Sequence, residues 1–343
     1  MNSSLDNVRS WLEEREECLS PFASKSQTSR GRARPESSSP VRLEFQRDRD
    51  RILHSNSFRR LKHKTQVFIA PVGDHYVTRL THTLEVSQIA RTISRALNLN
   101  EDLTEAISLG HDLGHTPFGH IGEDVLNDLH PGGFRHYEQS LRIVDLLEKA
   151  GRGLNLTWEV RDGILNHSKT RVIEIMGENW GQIGTLEGQV CKIADVVAYI
   201  NHDIDDAVRA GIITVEDIPS SSTAILGYSR SERINTLVCD IIRSSWAVRG
   251  EGKSRNPAIK MSPRVREATR RLHEFLYQQV YTFSSAQPDA ENARKIVRTL
   301  YYYFDAHRDL LPPEYQDPEH QVVDYIAAMT DQYAQRKALE LGL

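Results

Sequence analysis

The stretch His111-Asp112-Leu113-Gly114-His115-Thr116-Pro117-Phe118-Gly119-His120 constrains this chain more than any other. It sets three histidines and an aspartate within ten residues, directly after an amphipathic helical pattern. An adjacent His-Asp pair offers an imidazole nitrogen and a carboxylate from one turn, and both are good ligands for a divalent cation. Two ligands do not make a site. His82 lies upstream in Thr81-His82-Thr83-Leu84-Glu85, and Asp195 lies downstream in Ile193-Ala194-Asp195-Val196-Val197. Each sits in an otherwise apolar helical pattern, where a polar group needs a partner. Neighbours on a helix point about 100° apart, so His111 and Asp112 can flank one ion while His82 and Asp195 arrive from two other helices. Such sites are commonly built in the core of a helical bundle. Imidazoles and carboxylates together suit Mn²⁺, Fe²⁺, Mg²⁺ or Zn²⁺ and leave positions open for water and phosphate oxygens.

Helical periodicity dominates from Phe45 onward and predicts an all-α fold. The expected helices lie near 47–62, 80–98, 101–112, 120–129, 135–149, 158–167, 186–210, 231–245, 263–282, 289–305 and 319–340. One short β-hairpin is expected where Gln66-Val67-Phe68-Ile69 and His75-Tyr76-Val77-Thr78 flank Pro71-Val72-Gly73-Asp74. Residues 24–40 have almost no apolar content. Together with a preceding helix they read as an N-terminal unit, 1–40, whose basic arm is flexible, solvated and dispensable for folding. The other reading is an arm that reaches a phosphate or a neighbouring subunit. A core over 41–210 and a helical C-terminal part over 211–343, packed on that core, complete the expected organisation.

Lys and Arg number 43 against 47 acidic residues, for a net charge of -4. That balance argues against a nucleic-acid binder held by bulk charge, although it leaves nucleic acid open as a partner. Three distant cysteines imply no disulfide framework, so a reducing, cytoplasmic setting is expected. No apolar run of about 18 residues predicts a membrane span.

Further residues carry chemistry. His120 and Glu123 share a helix face at i,i+3, where a carboxylate orients an imidazole and raises its pKa. Such a pair moves protons near neutral pH. Arg79 precedes His82 by three residues, and a guanidinium beside a metal site favours polyphosphate oxygens. Asp195, Tyr199 and Asp203 form a polar stripe at i, i+4 and i+8 on an apolar helix, as expected of a cavity wall. His111 and His115 have the spacing of an H-E-x-x-H protease. Asp112 is one methylene too short, however, and Gly114 to Pro117 interrupts the helix. His115 is therefore expected to face phosphates or the metal's water, outside the ligand set. Gly252-Lys253-Ser254 lacks the first glycine of a phosphate loop, since position 247 is Ala247.

His82, His111-Asp112 and Asp195 resemble the H…HD…D pattern of the HD phosphohydrolase superfamily. More narrowly, the chain resembles the bacterial deoxyguanosinetriphosphate triphosphohydrolase-like family. The further blocks are Phe45-Gln46-Arg47-Asp48-Arg49-Asp50-Arg51-Ile52-Leu53-His54-Ser55, Phe58-Arg59-Arg60-Leu61 with Lys64-Thr65-Gln66-Val67, and Thr78-Arg79-Leu80-Thr81-His82-Thr83-Leu84-Glu85-Val86. The match is strong over residues 28–210 and weaker beyond.

The resemblance implies an HD-domain helical bundle over 41–210 with one divalent ion on His82, His111, Asp112 and Asp195. It implies that His120 and Glu123 are the catalytic pair, with His115 beside them. Gln66 would contact the deoxyribose, Tyr199 would pack the sugar and Asp203 would accept the 3′-hydroxyl. His136, in Phe134-Arg135-His136-Tyr137-Glu138, would contact substrate or move a proton; Tyr137 stands where the family often has Asn. The family's reaction splits a deoxynucleoside triphosphate, dGTP or another, into deoxynucleoside and inorganic triphosphate. Its members form homo-oligomers, often hexamers. Two rivals are another HD-type activity (a monophosphate phosphatase or cyclic phosphodiesterase) and a nucleotide-sensing module. The second is disfavoured by the intact ligands and the His120–Glu123 pair.

Overall fold

Side-chain caps fix where several of the helices begin, and apolar stripes fix what they cover. Residues 3–68, 76–168, 180, 182–251 and 257–342 are described by the computed structural model. Fifteen helices are used below. They are α1 (Ser3–Glu17), α2 (Glu44–Leu53), α3 (Asn56–Arg60), α4 (Arg79–Ala96), α5 (Glu101–Gly110), α6 (His120–Leu129), α7 (His136–Arg142) and α8 (Trp158–Asn166). Then follow α9 (Leu186–Arg209), α10 (Ser220–Leu226), α11 (Arg230–Ser244), α12 (Pro263–Leu276), α13 (Pro288–Ala306), α14 (Gln321–Ala327) and α15 (Asp331–Glu340).

At 24 residues, α9 runs about 36 Å at 1.5 Å per residue. It starts where the Thr185 hydroxyl accepts from the Gly188 N–H, and it packs against α4, α5 and α8. A capping box starts α4: Thr81 Oγ1 accepts from the Thr78 N–H at 2.9 Å, and Thr78 Oγ1 accepts from the Thr81 N–H. Asn100 caps α5 through the Leu103 N–H. The crossing of α5 and α8 is closed by glycines. A Cβ on Gly163 would stand 2.6 Å from Ile107, and one on Gly110 would stand 2.6 Å from Ile164. That contact brings the end of α8, with His167, up to His111.

The apolar side chains form two clusters. The larger runs from Phe45 through α4, α5, α8 and α9 to Val280 beyond α12. The smaller joins Phe118, Val125 and Leu126 to Val297, Leu300 and Phe304 of α13 and to Ile326 of α14. Buried apolar side chains from Ile213 to Val280 join the larger cluster, so this stretch packs directly on the core.

Several expectations are corrected. The helix expected over 47–62 breaks at His54-Ser55, because Ser55 caps α3 through the Phe58 N–H. The helix expected over 319–340 breaks before Thr330, which caps α15. The short helix α10 was hidden by its Ser-Ser-Ser-Thr sequence; Ser222 is buried there and donates to the Ala268 carbonyl. In the expected hairpin, Thr65 and Thr78 form an isolated antiparallel bridge, and residues 69–75 lie outside the described residues. So does Gly252-Lys253-Ser254.

The arm over 24–40 is exposed over most of its length, above all from Ala33 to Ser38, but it is tied to the core at several points. Arg32 is 5% exposed in its side chain and pairs with Asp48, which is fully buried, and with Glu44 at 2.8 Å. Arg30 lies over the Trp158 ring at 3.7 Å, and Ser24 and Ser26 bond Glu187 and Glu16. Composition missed this because the arm is ordered by buried carboxylates elsewhere in the chain, not by apolar area. No helix among the described residues is long and apolar enough to cross a membrane.

Candidate active site

A cavity of about 380 Å³ opens where α4, α6, α7 and α9 meet the loop after α5. Of the residues singled out from the sequence, all but His111 and Glu123 line it, and those two stand directly behind its wall.

The metal-ligand candidates converge from two helices and a turn: His82 from α4, Asp195 from α9, and His111 and Asp112 from the turn that ends α5. His82 Nε2 lies 3.2 Å from Asp195 Oδ1 and 3.7 Å from Asp112 Oδ2, and His111 Nε2 lies 3.4 Å from Asp112 Oδ1. His111 Nδ1 faces the Ser108 carbonyl at 2.6 Å. A carbonyl only accepts, so that nitrogen carries hydrogen and a neutral ring presents its Nε2 lone pair to the cluster. That Nε2 is buried without a hydrogen-bond partner among the described residues. An imidazole lone pair beside buried carboxylate oxygens is a donor set that fits a divalent cation. The charge states fit too. Burial would raise the Asp195 carboxyl, but His82 outweighs it and holds it at about 2. Asp112 is held well below the carboxylate range, since His111, His115 and Arg79 outweigh its burial. Burial pushes His82 down, toward the neutral form that ligation requires.

Behind the cluster, His82 Nδ1 meets His202 Nε2 at 2.9 Å, and His202 Nδ1 stands 2.8 Å from Asp203. Such outer partners orient a ligating imidazole. Asp203 also accepts from the Tyr281 hydroxyl at 2.6 Å. Arg79 is 2% exposed, lines the cavity and donates to Asp112 Oδ2 at 2.8 Å.

Beside this cluster, Glu123 is shared by two imidazoles. It accepts from His136 Nδ1 and the His136 N–H at 2.9 Å and stands 3.0 Å from His120 Nδ1. Its carboxyl lies well below the usual range, because His136 and then His120 outweigh burial. The His120 side chain is 68% exposed, and it opens into the cavity. Crowding disfavours its charge, but Glu123 outweighs that and raises its pKa. His115 stacks on His136 at 4.0 Å and stands 3.3 Å from Asp112. Burial, then Arg79, push it well down. Gly114 lets α7 approach: a Cβ there would fall 2.3 Å from the His136 carbonyl. His136, expected to contact substrate or move a proton, lines the cavity and also holds Glu123.

At the far end, the Tyr199 hydroxyl and Gln66 Oε1 are buried without protein partners among the described residues. Both were singled out as substrate contacts, and both reach the cavity.

Four contributors escaped sequence reading. His167 takes its Nε2 to 3.3 Å from His136 Nε2, and burial lowers it to about 3. Lys192 is buried on the wall, three residues before Asp195 on the same helix, a spacing that could have marked it. His202 repeats the His-Asp adjacency with Asp203, which was also visible. Tyr281 lies 78 residues from Asp203 and carries no local signal.

A family profile described as HD domain matches residues 79–200, and one described as phosphohydrolase-associated domain matches residues 259–339. A deoxyguanosinetriphosphate triphosphohydrolase-like protein of Caldanaerobacter subterraneus subsp. tengcongensis is 56% identical, covering 98% of this chain and 96% of that protein. Proteins of the same description from Desulfatibacillum aliphaticivorans and Clostridium perfringens are 48% and 49% identical, covering 95% and 92% of this chain and 95% and 91% of theirs. A solved structure of a hypothetical protein from Aquifex aeolicus aligns at 20% identity and a TM-score of 0.44, over 84% of this chain and 67% of that one. With identities at this level over nearly the whole length, the chain belongs to the deoxyguanosinetriphosphate triphosphohydrolase-like family and carries its HD domain.

Proposed function

We propose that this protein hydrolyses deoxynucleoside triphosphates, dGTP among them, to deoxynucleoside and inorganic triphosphate. The observation that carries the reading is the His120–Glu123 pair opening into the same cavity as the His82, His111, Asp112 and Asp195 cluster. Those four residues would hold a divalent cation, which when bound supplies Lewis-acid polarisation and a lowered water pKa. The names of the relatives point to the same substrate class.

The chain's own groups then divide the work. Tyr199 and Gln66 offer polar atoms to a sugar. Lys192 and Arg79 place positive charge beside the phosphates, Arg79 by way of Asp112. Water attacks the α-phosphorus as the bond to the 5′-oxygen breaks. His120, protonated and oriented by Glu123, gives its Nε2 proton to that leaving oxygen, and the water's proton leaves with the triphosphate. His136 keeps Glu123 ionised.

The test is a product assay with Mn²⁺ and each of the four deoxynucleoside triphosphates in turn. Inorganic triphosphate with deoxynucleoside is expected. Pyrophosphate or single phosphates as the first product would remove the reading.

A further inference from the structure

The loop that joins His115 to His120 holds an unusual backbone. Phe118 is buried with a φ of +62°, in the left-handed region that side chains other than glycine rarely adopt, and Gly119 follows with a φ of +59°. Strained segments persist only where the surroundings over-determine them. Here the restraint comes from the far end of the chain.

Asp331 is the first residue of α15; the Thr330 side chain caps that helix through the Tyr333 N–H and makes no bond to the Asp331 carboxylate. One carboxylate oxygen accepts from the Phe118 N–H at 2.9 Å. The other accepts from the Thr65 N–H at 2.9 Å and from the Thr65 hydroxyl. One carboxylate thus ties the loop before His120 to the segment just before Gln66. Lys64 repeats the device from the other side. Its buried ammonium donates to the His115 carbonyl and to the Ala327 carbonyl, the latter at 2.7 Å, at the end of α14.

We propose that Asp331, seconded by Lys64, is a positioning residue through which the phosphohydrolase-associated region fixes His120 against Glu123 and Gln66 against the sugar. It touches no substrate. It holds two loops that do, so that the strained turn keeps the His120 ring on Glu123. A misplacement of ~1 Å at a reacting group costs about 10²-fold in rate. The proposal rests on the triphosphohydrolase reading.

The test compares Asp331→Ala and Asp331→Asn with Thr330→Ala, which weakens the same helix without touching either loop. Each variant is assayed for kcat and KM with dGTP and Mn²⁺, for bound metal by elemental analysis, for Tm, and for amide hydrogen exchange over residues 115–120. Asp331→Ala should lose about 10²-fold in kcat with a smaller rise in KM, keep its metal, and exchange faster over the loop. Asp331→Asn keeps one acceptor oxygen and should fall between it and the wild type. Thr330→Ala should lower Tm and leave kcat alone.

The proposal is overturned if folded Asp331→Ala and Asp331→Asn keep kcat within about twofold of wild type, or if Thr330→Ala loses as much kcat as they do. Should Asp331→Ala fail to fold, Asp331→Asn decides. Should the wild type release no triphosphate, the functional reading fails, and exchange decides separately: an unchanged loop in Asp331→Asn removes the clamp.

Discussion

A carboxylate shared by two imidazoles gives this site its expected pH behaviour. Glu123 raises the pKa of His120, so the proton-donating form is present below that raised value and lost as pH rises through it. Turnover should therefore have an alkaline limb set by His120. Glu123→Gln removes the raising charge and should move that limb to lower pH, as a pH profile of kcat would show. His120→Ala should cost ~10²–10⁴ in single-turnover rate, as loss of general acid help does, while bound metal stays at the wild-type level. His111→Ala should lose the metal itself by elemental analysis, because its unpartnered Nε2 has no substitute. A rate for His120→Ala near wild type would move the proton carrier to another imidazole. The His-Asp adjacency and the i,i+3 pair were legible because their partners are local. His167 was not, because its partner His136 lies 31 residues away and a lone histidine at a helix end has no signature.

At the level of elements, the N-terminal arm matters more than its composition suggests. Arg32 neutralises Asp48, a carboxylate with no solvent exposure, and Asp48 also holds the Thr157 N–H at 2.8 Å. Removing one partner of a buried pair typically costs ~3–5 kcal/mol, since the other charge stays buried. Arg32→Ala should therefore lower the denaturation midpoint clearly, and a chain starting near Val41 should melt earlier still. An unchanged midpoint in both would return the arm to the solvent. Most helices could be read from the sequence, because periodicity and caps are local. The breaks at Ser55 and Thr330 could not, because a cap inside a periodic stretch looks like any other hydroxyl until the tertiary contacts form. Glu148 shows this, accepting from the Ser57 N–H at 2.8 Å across 91 residues.

For the whole molecule, the cavity draws on residues as far apart as Gln66 and Ser285. Tyr281 and Ser284 reach it from the C-terminal part, where the resemblance read in the sequence was weak. A wall assembled from residues so far apart is invisible to spacing arguments. The Tyr281 bond to Asp203 crosses that distance, and a hydrogen bond to a charged group contributes ~1.5–3 kcal/mol. Tyr281→Phe should thus raise KM about tenfold or more with little change in bound metal, measurable by steady-state kinetics. An unchanged KM would show that Asp203 is held well enough by His202 alone.

The chain Asp203–His202–His82 has one more consequence. Its outer carboxylate stands where a sugar would sit, and its inner imidazole stands where a cation would sit. An occupant that competes with Tyr281 for Asp203 changes the grip of Asp203 on His202, and so the set of the His82 ring. The two ends of the cavity should then be thermodynamically linked, and linkage is reciprocal: whatever factor nucleoside applies to ion affinity, the ion should apply to nucleoside. Ion titrations with and without deoxynucleoside should give two different dissociation constants, and His202→Phe should bring them together.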